Sequence, residues 1–308
     1  MGRRDRDDVS GALLSRVAVR AAPHEPPFRH GRWRAQSGLL CYNAHVRYIT
    51  PQQLLRMRFG EPPWPSWDVA VLCFRGDAGG MALVEKLGAR PVGGKTLYGL
   101  EETAERPFSY EVTLGGQRIL IVQRCLWGSP QTAILVEEAS CLGVRTVIGF
   151  GVAGSLVETL PKGTQIVGAR AIAIDGTTRA YTPAETVDPD TGLLASARTM
   201  AEAQGIPLLA ARIAGVDALY RETPDDVRRW RALDVEAINM ETPTLYAAAA
   251  ACGVRSVWLG HVSDTLWLST ESWDSWQRPA HLTDVTVALT VGLLESLSAP
   301  PDPSRAPR

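Results

Sequence analysis

Apolar positions along the chain fall into two alternating patterns. Short aliphatic and β-branched runs at Val69 to Phe74, Arg118 to Gln123, Arg145 to Phe150, Gln165 to Ile174, Leu208 to Ala214 and Arg255 to Gly260 predict strands. Between them, Ala78 to Leu87, Gln131 to Cys141, Leu193 to Gln204, Pro224 to Ala232 and Pro279 to Leu297 carry apolar residues at helical spacing. A further helix from Glu241 through the run Ala247 to Ala251 is built of good helix formers with little bulk, and it stops at Gly253. Strands that alternate with helices, and a long central strand at 165 to 174, predict an α/β fold with a mixed, twisted β-sheet flanked by helices on both faces.

The two ends break this pattern. Residues 1 to 36 mix Arg3, Arg4, Asp5, Arg6, Asp7 and Asp8 with the Pro26-Pro27 pair, a composition expected of a flexible Arg/Pro-rich extension. The proline-rich residues 299 to 308 read as a disordered tail, leaving residues 37 to 298 as one domain. A chain of 308 residues is long enough to bury a substantial core. Its net charge of -1 gives no global positive field, so nucleic acid is not an expected partner. Cys41, Cys73, Cys125, Cys141 and Cys252 show no CxxC spacing and read as free thiols of a reducing cytosol. No apolar run approaches the ~20 residues that span a bilayer, and the arginine-rich amino end does not lead into a signal-peptide core. A soluble cytoplasmic protein without a membrane partner, metal or organic cofactor is therefore expected.

Candidate chemistry concentrates in Asn239-Met240-Glu241 through Ser263-Asp264. One acid heads the alanine-rich helix, and the other follows an apolar strand at its carboxyl end, where open α/β sheets bind ligands. The pair can converge in one cleft; alternatively, Glu241 serves the helix dipole and Asp264 a turn. Gly149 to Gly154 also spells GxGxxG after a strand, with Asp175 about 20 residues on. A dinucleotide site needs a substantial helix opening at the third glycine, and Pro161-Lys162-Gly163 leaves no room for one.

MetGlu opening a small-residue helix, followed by a strand ending in SerAsp, resembles the nucleoside phosphorylase and nucleosidase family. Asp175 to Pro183 is similar to that family's DG(T/A)S segment, and Asp217 to Thr223 to the segment that closes over the base. Gly151-Val152-Ala153-Gly154 looks like its G(S/T)xG loop, and Arg75-Gly76-Asp77 like the tail of its first strand, usually PGD. The matches keep family order over roughly residues 68 to 297. The resemblance implies a nucleoside phosphorylase-like fold, a homo-oligomer and a pentosyltransferase acting on a small-molecule nucleoside, with inorganic phosphate as candidate co-substrate.

It also implies a division of roles. Asp264 protonates or hydrogen-bonds the purine N7, aided by Arg278 at the start of the last helix, and the aspartate favours a purine-type base. Glu241 accepts hydrogen bonds from the ribose hydroxyls and Met240 packs beneath the sugar. Tyr220 and Tyr181 are candidates to cover the base. Asp175 with Arg179 reads equally as an internal ion pair. Trp267, Trp273 and Trp276 read as packing, or as a loop that excludes water. His45 is a candidate for a neighbouring subunit's 5′ contact.

The acceptor side departs from the family pattern. Val152 replaces the loop hydroxyl, and Gly149 and Gly80 stand where purine-specific relatives carry arginines. A side chain without a donor cannot hydrogen-bond phosphate, a loss of about 1.5 to 3 kcal/mol. Arg75, Arg106, Arg124 or Ser155 would have to serve instead. Hydrolysis, with Asp77 the nearest candidate base, and non-catalytic nucleoside binding stand as alternatives to phosphorolysis.

Overall fold

The computed structural model describes residues 47–74, 76–93, 97–100, 107–270, 272–275 and 280–298. The expected extension and tail, with His45, Arg75, Arg106, Trp276 and Arg278, lie outside those residues. Strands β1 (Val69–Cys73), β2 (Arg90–Pro91), β3 (Ser109–Leu114), β4 (Gln117–Val122), β5 (Thr146–Ser155), β6 (Gln165–Ile172), β7 (Thr186–Val187), β8 (Leu208–Gly215), β9 (Ala237–Asn239) and β10 (Arg255–Thr265) form one 10-stranded sheet. Strand β10 pairs parallel with β5 and antiparallel with β6. The strands β5, β10, β6, β8 and β9 therefore close into a ring, from which β1, β4, β3 and β2 extend. The mixed sheet expected from sequence is present.

Helices α1 (Pro51–Phe59), α2 (Gly76–Leu87), α3 (Ser129–Cys141), α4 (Gly176–Tyr181), α5 (Thr191–Ala203), α6 (Pro224–Ala232), α7 (Thr242–Ala251) and α8 (Ala280–Ser298) cover it. Alternate residues of β1 serve two layers of core: Ala70 and Leu72 join Leu135, Val136 and Leu245, while Val69, Val71 and Cys73 join Leu83, Val84, Val287 and Leu293. A strand buried on both faces must be continuously apolar, as this one is. Helix α8 has 19 residues and is apolar enough by length and composition to cross a membrane, a longer apolar segment than the sequence reading allowed. Its Val287, Leu293 and Leu294 belong to the core. Thr286 ties it to the sheet through His261 Nδ1 at 3.1 Å and Gln165 Oε1 at 2.8 Å.

Local chemistry explains the element boundaries. Thr223 begins α6 with a capping box, its hydroxyl accepting from the Asp226 N–H while the Asp226 carboxylate accepts from the Thr223 N–H. Asp175 caps α4 through the Thr178 N–H at 2.8 Å and also accepts from Thr244 Oγ1. It makes no ion pair with Arg179 among the described residues. Both strands that carry chemistry run further than their apolar runs. Strand β5 passes through Gly149, Gly151 and Gly154, which places no helix at the GxGxxG motif, and β10 continues through His261, Ser263 and Asp264. The thiols divide, Cys73 and Cys125 being buried, while Cys141 and Cys252 are partly exposed.

Trp258, a fully buried residue of β10, lays its indole over glycines of β5 and of its own strand. Its indole lies where side chains at three neighbouring positions would be. A Cβ on Gly149 would stand 2.6 Å from it, one on Gly151 3.2 Å, and one on Gly260 2.5 Å. Its backbone N–H donates to Tyr246 Oη, which in turn donates to the Gly168 carbonyl at 2.6 Å, joining α7 to β10 and β6. Glycine is thus required here by close approach. Replacing Gly260 with alanine is expected to lower stability by about 1 to 3 kcal/mol through overpacking, read as a lower midpoint in urea with an unchanged slope.

Candidate active site

The parallel strands β5 and β10 bring their carboxyl ends together, and the register shifts by one residue between Val262 and Asp264. Such a bulge re-aims side chains that would otherwise alternate between faces. Ser263 and Asp264 consequently line one cavity, together with Val152, Ala153 and Gly154 of β5. Ser263 Oγ donates to Asp264 Oδ1 at 2.6 Å. Trp273 Nε1 donates to Asp264 Oδ2 at 2.9 Å. The segment bearing Trp273 is held by the Thr265–Asp274 bridge and by Lys162, whose Nζ lies 2.7 Å from Asp274 Oδ1.

Glu241 reaches the same cavity from the start of α7. It does not cap its own helix. Asn239 does so, with Oδ1 accepting from the Glu241 and Thr242 N–H groups, which leaves the Glu241 carboxyl turned toward α3. There Oε1 accepts from the Gly128 N–H at 3.0 Å and Oε2 from the Met240 N–H at 3.1 Å. Gly128 adopts φ 116°, a conformation glycine alone takes readily, and this aims its N–H at the carboxylate. Ser129 Oγ donates to the Met240 carbonyl at 2.8 Å, fastening α3 to the same turn. Burial pushes Glu241 up to about 7, against the two backbone donors that favour its ionised form.

A third carboxyl, Glu222, also lines the cavity. Sequence reasoning missed it, because an acid one residue before a capping threonine carries no pattern of its own. Burial is the main cause that lifts it to about 7, and the charges of Asp264 and Asp226 add to the effect. The remaining walls are mostly apolar: Phe74, Val152, Val216, Leu219, Ile238 and Leu266, with Met240 beside Glu241 and Trp127 half-exposed. Among the described residues no arginine or lysine lines the cavity.

The structure brings together Met240, Glu241, Asp264, Val152, Ala153 and Gly154; Gly151 lies within β5 behind them, against Trp258. Gly76 starts α2, after the first strand. The two tyrosines are placed elsewhere. Tyr220 is 93% exposed, on the short helical turn whose Leu219 faces the cavity instead. Tyr181 Oη donates to Glu137 Oε1 at 2.6 Å, within a cluster that includes Arg47. Neither side chain is among the lining residues. Ser155 Oγ is fully buried and donates to the Val157 carbonyl, and Arg124 lies over the Phe108 ring. Gly149 has no room for a side chain, and a Cβ on Gly80 would run into the Gln123 backbone. Trp273, read from sequence as packing or as part of a loop that excludes water, donates to Asp264.

The chain belongs to the phosphorylase superfamily, whose family model matches residues 72–284. It is 32% identical over 130 residues to a guanosine phosphorylase of Halorubrum lacusprofundi, covering 42% of this chain and 54% of that one. The chain thus spans about half the length of that relative. Its fold is similar to that of a purine nucleoside phosphorylase from Toxoplasma gondii, with TM-score 0.63 and 20% identity over 76% of this chain and 92% of the other. It is also similar to a futalosine hydrolase mutant of Helicobacter pylori, with TM-score 0.59 and 17% identity over 74% and 99%.

A raised carboxyl pKa has a signed consequence for stability. The folded chain keeps the Glu222 proton up to about 7, whereas the unfolded chain releases it near 4.5. This contribution is complete below about 4.5 and is lost as the pH rises through about 7. The melting temperature of Glu222→Gln should therefore gain on that of the wild type across that window and run parallel to it above, as read by calorimetry at a series of pH values.

Proposed function

We propose that the chain cleaves the N-glycosidic bond of a purine-type nucleoside, with phosphate as acceptor, releasing the base and ribose 1-phosphate. The observation that carries this reading is the convergence of Glu241 and Asp264, from different elements, on one mostly apolar cavity. Breaking the bond puts positive charge on the sugar and negative charge on the leaving base. Asp264, held by Ser263 and Trp273, serves the base as general acid, with Arg278 assigned beside it by the family motif. Glu241 binds the ribose hydroxyls and opposes the charge at C1′, with Met240 beneath the ring. In a mostly apolar cavity these electrostatic interactions are stronger than in water. The relative named guanosine phosphorylase supports both the purine and the phosphate acceptor.

A second reading, hydrolysis of the same bond, is favoured by one observation. The acceptor side presents Val152 and Phe74, and Trp258 fills the space an arginine at position 149 would need. Water requires no anion clamp.

Incubation with a panel of nucleosides, with and without phosphate, separates the readings. Phosphate-dependent base release with ribose 1-phosphate supports the first, and release indifferent to phosphate the second; tight binding without release sinks both. Asp264→Asn should slow purine release by about 10² to 10⁴-fold with little change in binding, and Glu241→Gln should impair both. Wild-type turnover in either variant overturns the assignment of the site.

A further inference from the structure

We infer that Gln131 is a positioning residue for Glu241. Its side-chain amide locks the turn before α3 so that the Gly128 N–H stays aimed at the carboxyl, and through Glu241 it sets how strictly the cavity selects a sugar with two adjacent hydroxyls. The inference rests on the reading of the cavity as a site of N-glycosidic cleavage, with Glu241 on the sugar.

Glu241 takes one of its two donors from its own turn, the Met240 N–H, and the other from across the fold, the Gly128 N–H. Gly128 closes a segment, residues 124–128, that lies between β4 and α3 and belongs to no strand or helix. The same segment puts Trp127 in the cavity wall. Glycine populates many backbone conformations at little cost, so the φ of 116° that aims this N–H must be held from outside. Gln131, in the first turn of α3, holds it. Its Oε1 accepts from the Leu126 N–H at 2.5 Å, and its Nε2 donates to the Gly99 carbonyl at 3.0 Å. Thr132, fully buried beside it, donates from Oγ1 to the Gly128 carbonyl at 3.0 Å. Residues 97–100 give Gln131 a fixed anchor. Leu97 and Leu100 are in the core, the Gly99 N–H donates to Glu138 Oε2 at 3.2 Å further along α3, and a Cβ on Gly99 would stand 2.8 Å from Ile134.

Only an amide meets both demands. It carries an acceptor and a donor at one end, whereas a carboxylate has no donor for the Gly99 carbonyl and an apolar chain of the same length has neither. Loss of the amide leaves the Met240 N–H in place, because that donor adjoins Glu241 in sequence. What goes is the donor that orients the carboxyl from a second direction. The carboxyl then turns about its terminal bonds, and its free acceptor positions no longer match a pair of neighbouring hydroxyls. A ligand with both hydroxyls loses more than one with a single hydroxyl, and that inequality separates a positioning role from a general weakening of the fold.

The test compares wild type, Gln131→Met and Gln131→Asn by kcat/KM for a purine ribonucleoside and its 2′-deoxyribonucleoside, each also in the Glu241→Gln background. Amide hydrogen exchange of residues 125–129, without ligand, is followed by mass spectrometry. Gln131→Met should reduce the preference for the ribonucleoside about tenfold and speed exchange in this segment by about tenfold, with β1 and β5 unchanged. In the Glu241→Gln background the same change should alter the preference by less than about twofold. Gln131→Asn, too short to span both partners, should show the same losses in smaller measure, and it decides the matter if the methionine variant fails to fold. An unchanged preference in an active Gln131→Met enzyme, or an equal loss of preference with and without the Glu241 carboxylate, overturns the positioning role. If the wild type cleaves neither nucleoside, the glycosidic reading falls. Unaltered exchange in Gln131→Met then overturns the lock on Gly128, and accelerated exchange sustains it.

Discussion

The packing of the Trp258 indole over glycines of β5 and of its own strand, β10, is the constraint on which the rest of the structure depends. Three glycines make room for the indole, and the two strands can then lie side by side for ten paired positions. With β10 fixed against β5 on one edge and β6 on the other, the sheet closes. The carboxyl ends of both strands are delivered to one place. The same indole excludes any side chain at Gly149. A single packing choice therefore both builds the cavity and removes a position from which a cation could enter it.

Within that frame, polar groups are set by backbone geometry more than by side-chain pairing. The bulge at Ser263 turns two consecutive side chains inward, the φ of Gly128 aims an N–H at Glu241, and Asn239 caps α7 so that Glu241 need not. Each device frees a carboxyl from a structural duty and directs it to the cavity. Apolar neighbours then raise the cost of ionisation, which brings two of the three acids close to neutrality as their working range.

The sequence made much of this legible, and its failures have physical causes. Helix α6 lies where its pattern put it because Thr223, Pro224 and Asp226 give an unambiguous start. Strands β5 and β10 were read short, since glycines and polar residues interrupt the apolar run while the backbone pairing continues. Strand β9, three residues long, and helix α4, six residues long, are too brief to show a period. At the site, Glu241 and Asp264 were found because acids beside an apolar run stand out, and Met240 through the resemblance of the MetGlu helix start to the family's. Glu222 and the bond from Trp273 to Asp264 were not, since the first shows itself only by its place in the cavity wall and the second only by the return of the loop onto β10. Tyr220 shows the converse: its neighbour Leu219 turns inward, and one step along a helical turn reverses what a side chain faces.

The two backbone hydrogen bonds to Glu241 also set a valence. An ionised carboxyl offers about four acceptor positions, and Gly128 and Met240 occupy two of them. Two remain for whatever enters the cavity. A ligand with a pair of adjacent hydroxyls fills that remainder, whereas one with a single hydroxyl leaves an acceptor position empty in a place water reaches poorly, at a cost of about 1 to 3 kcal/mol. The site in effect counts donors, and it does so through the peptide groups of two neighbouring turns.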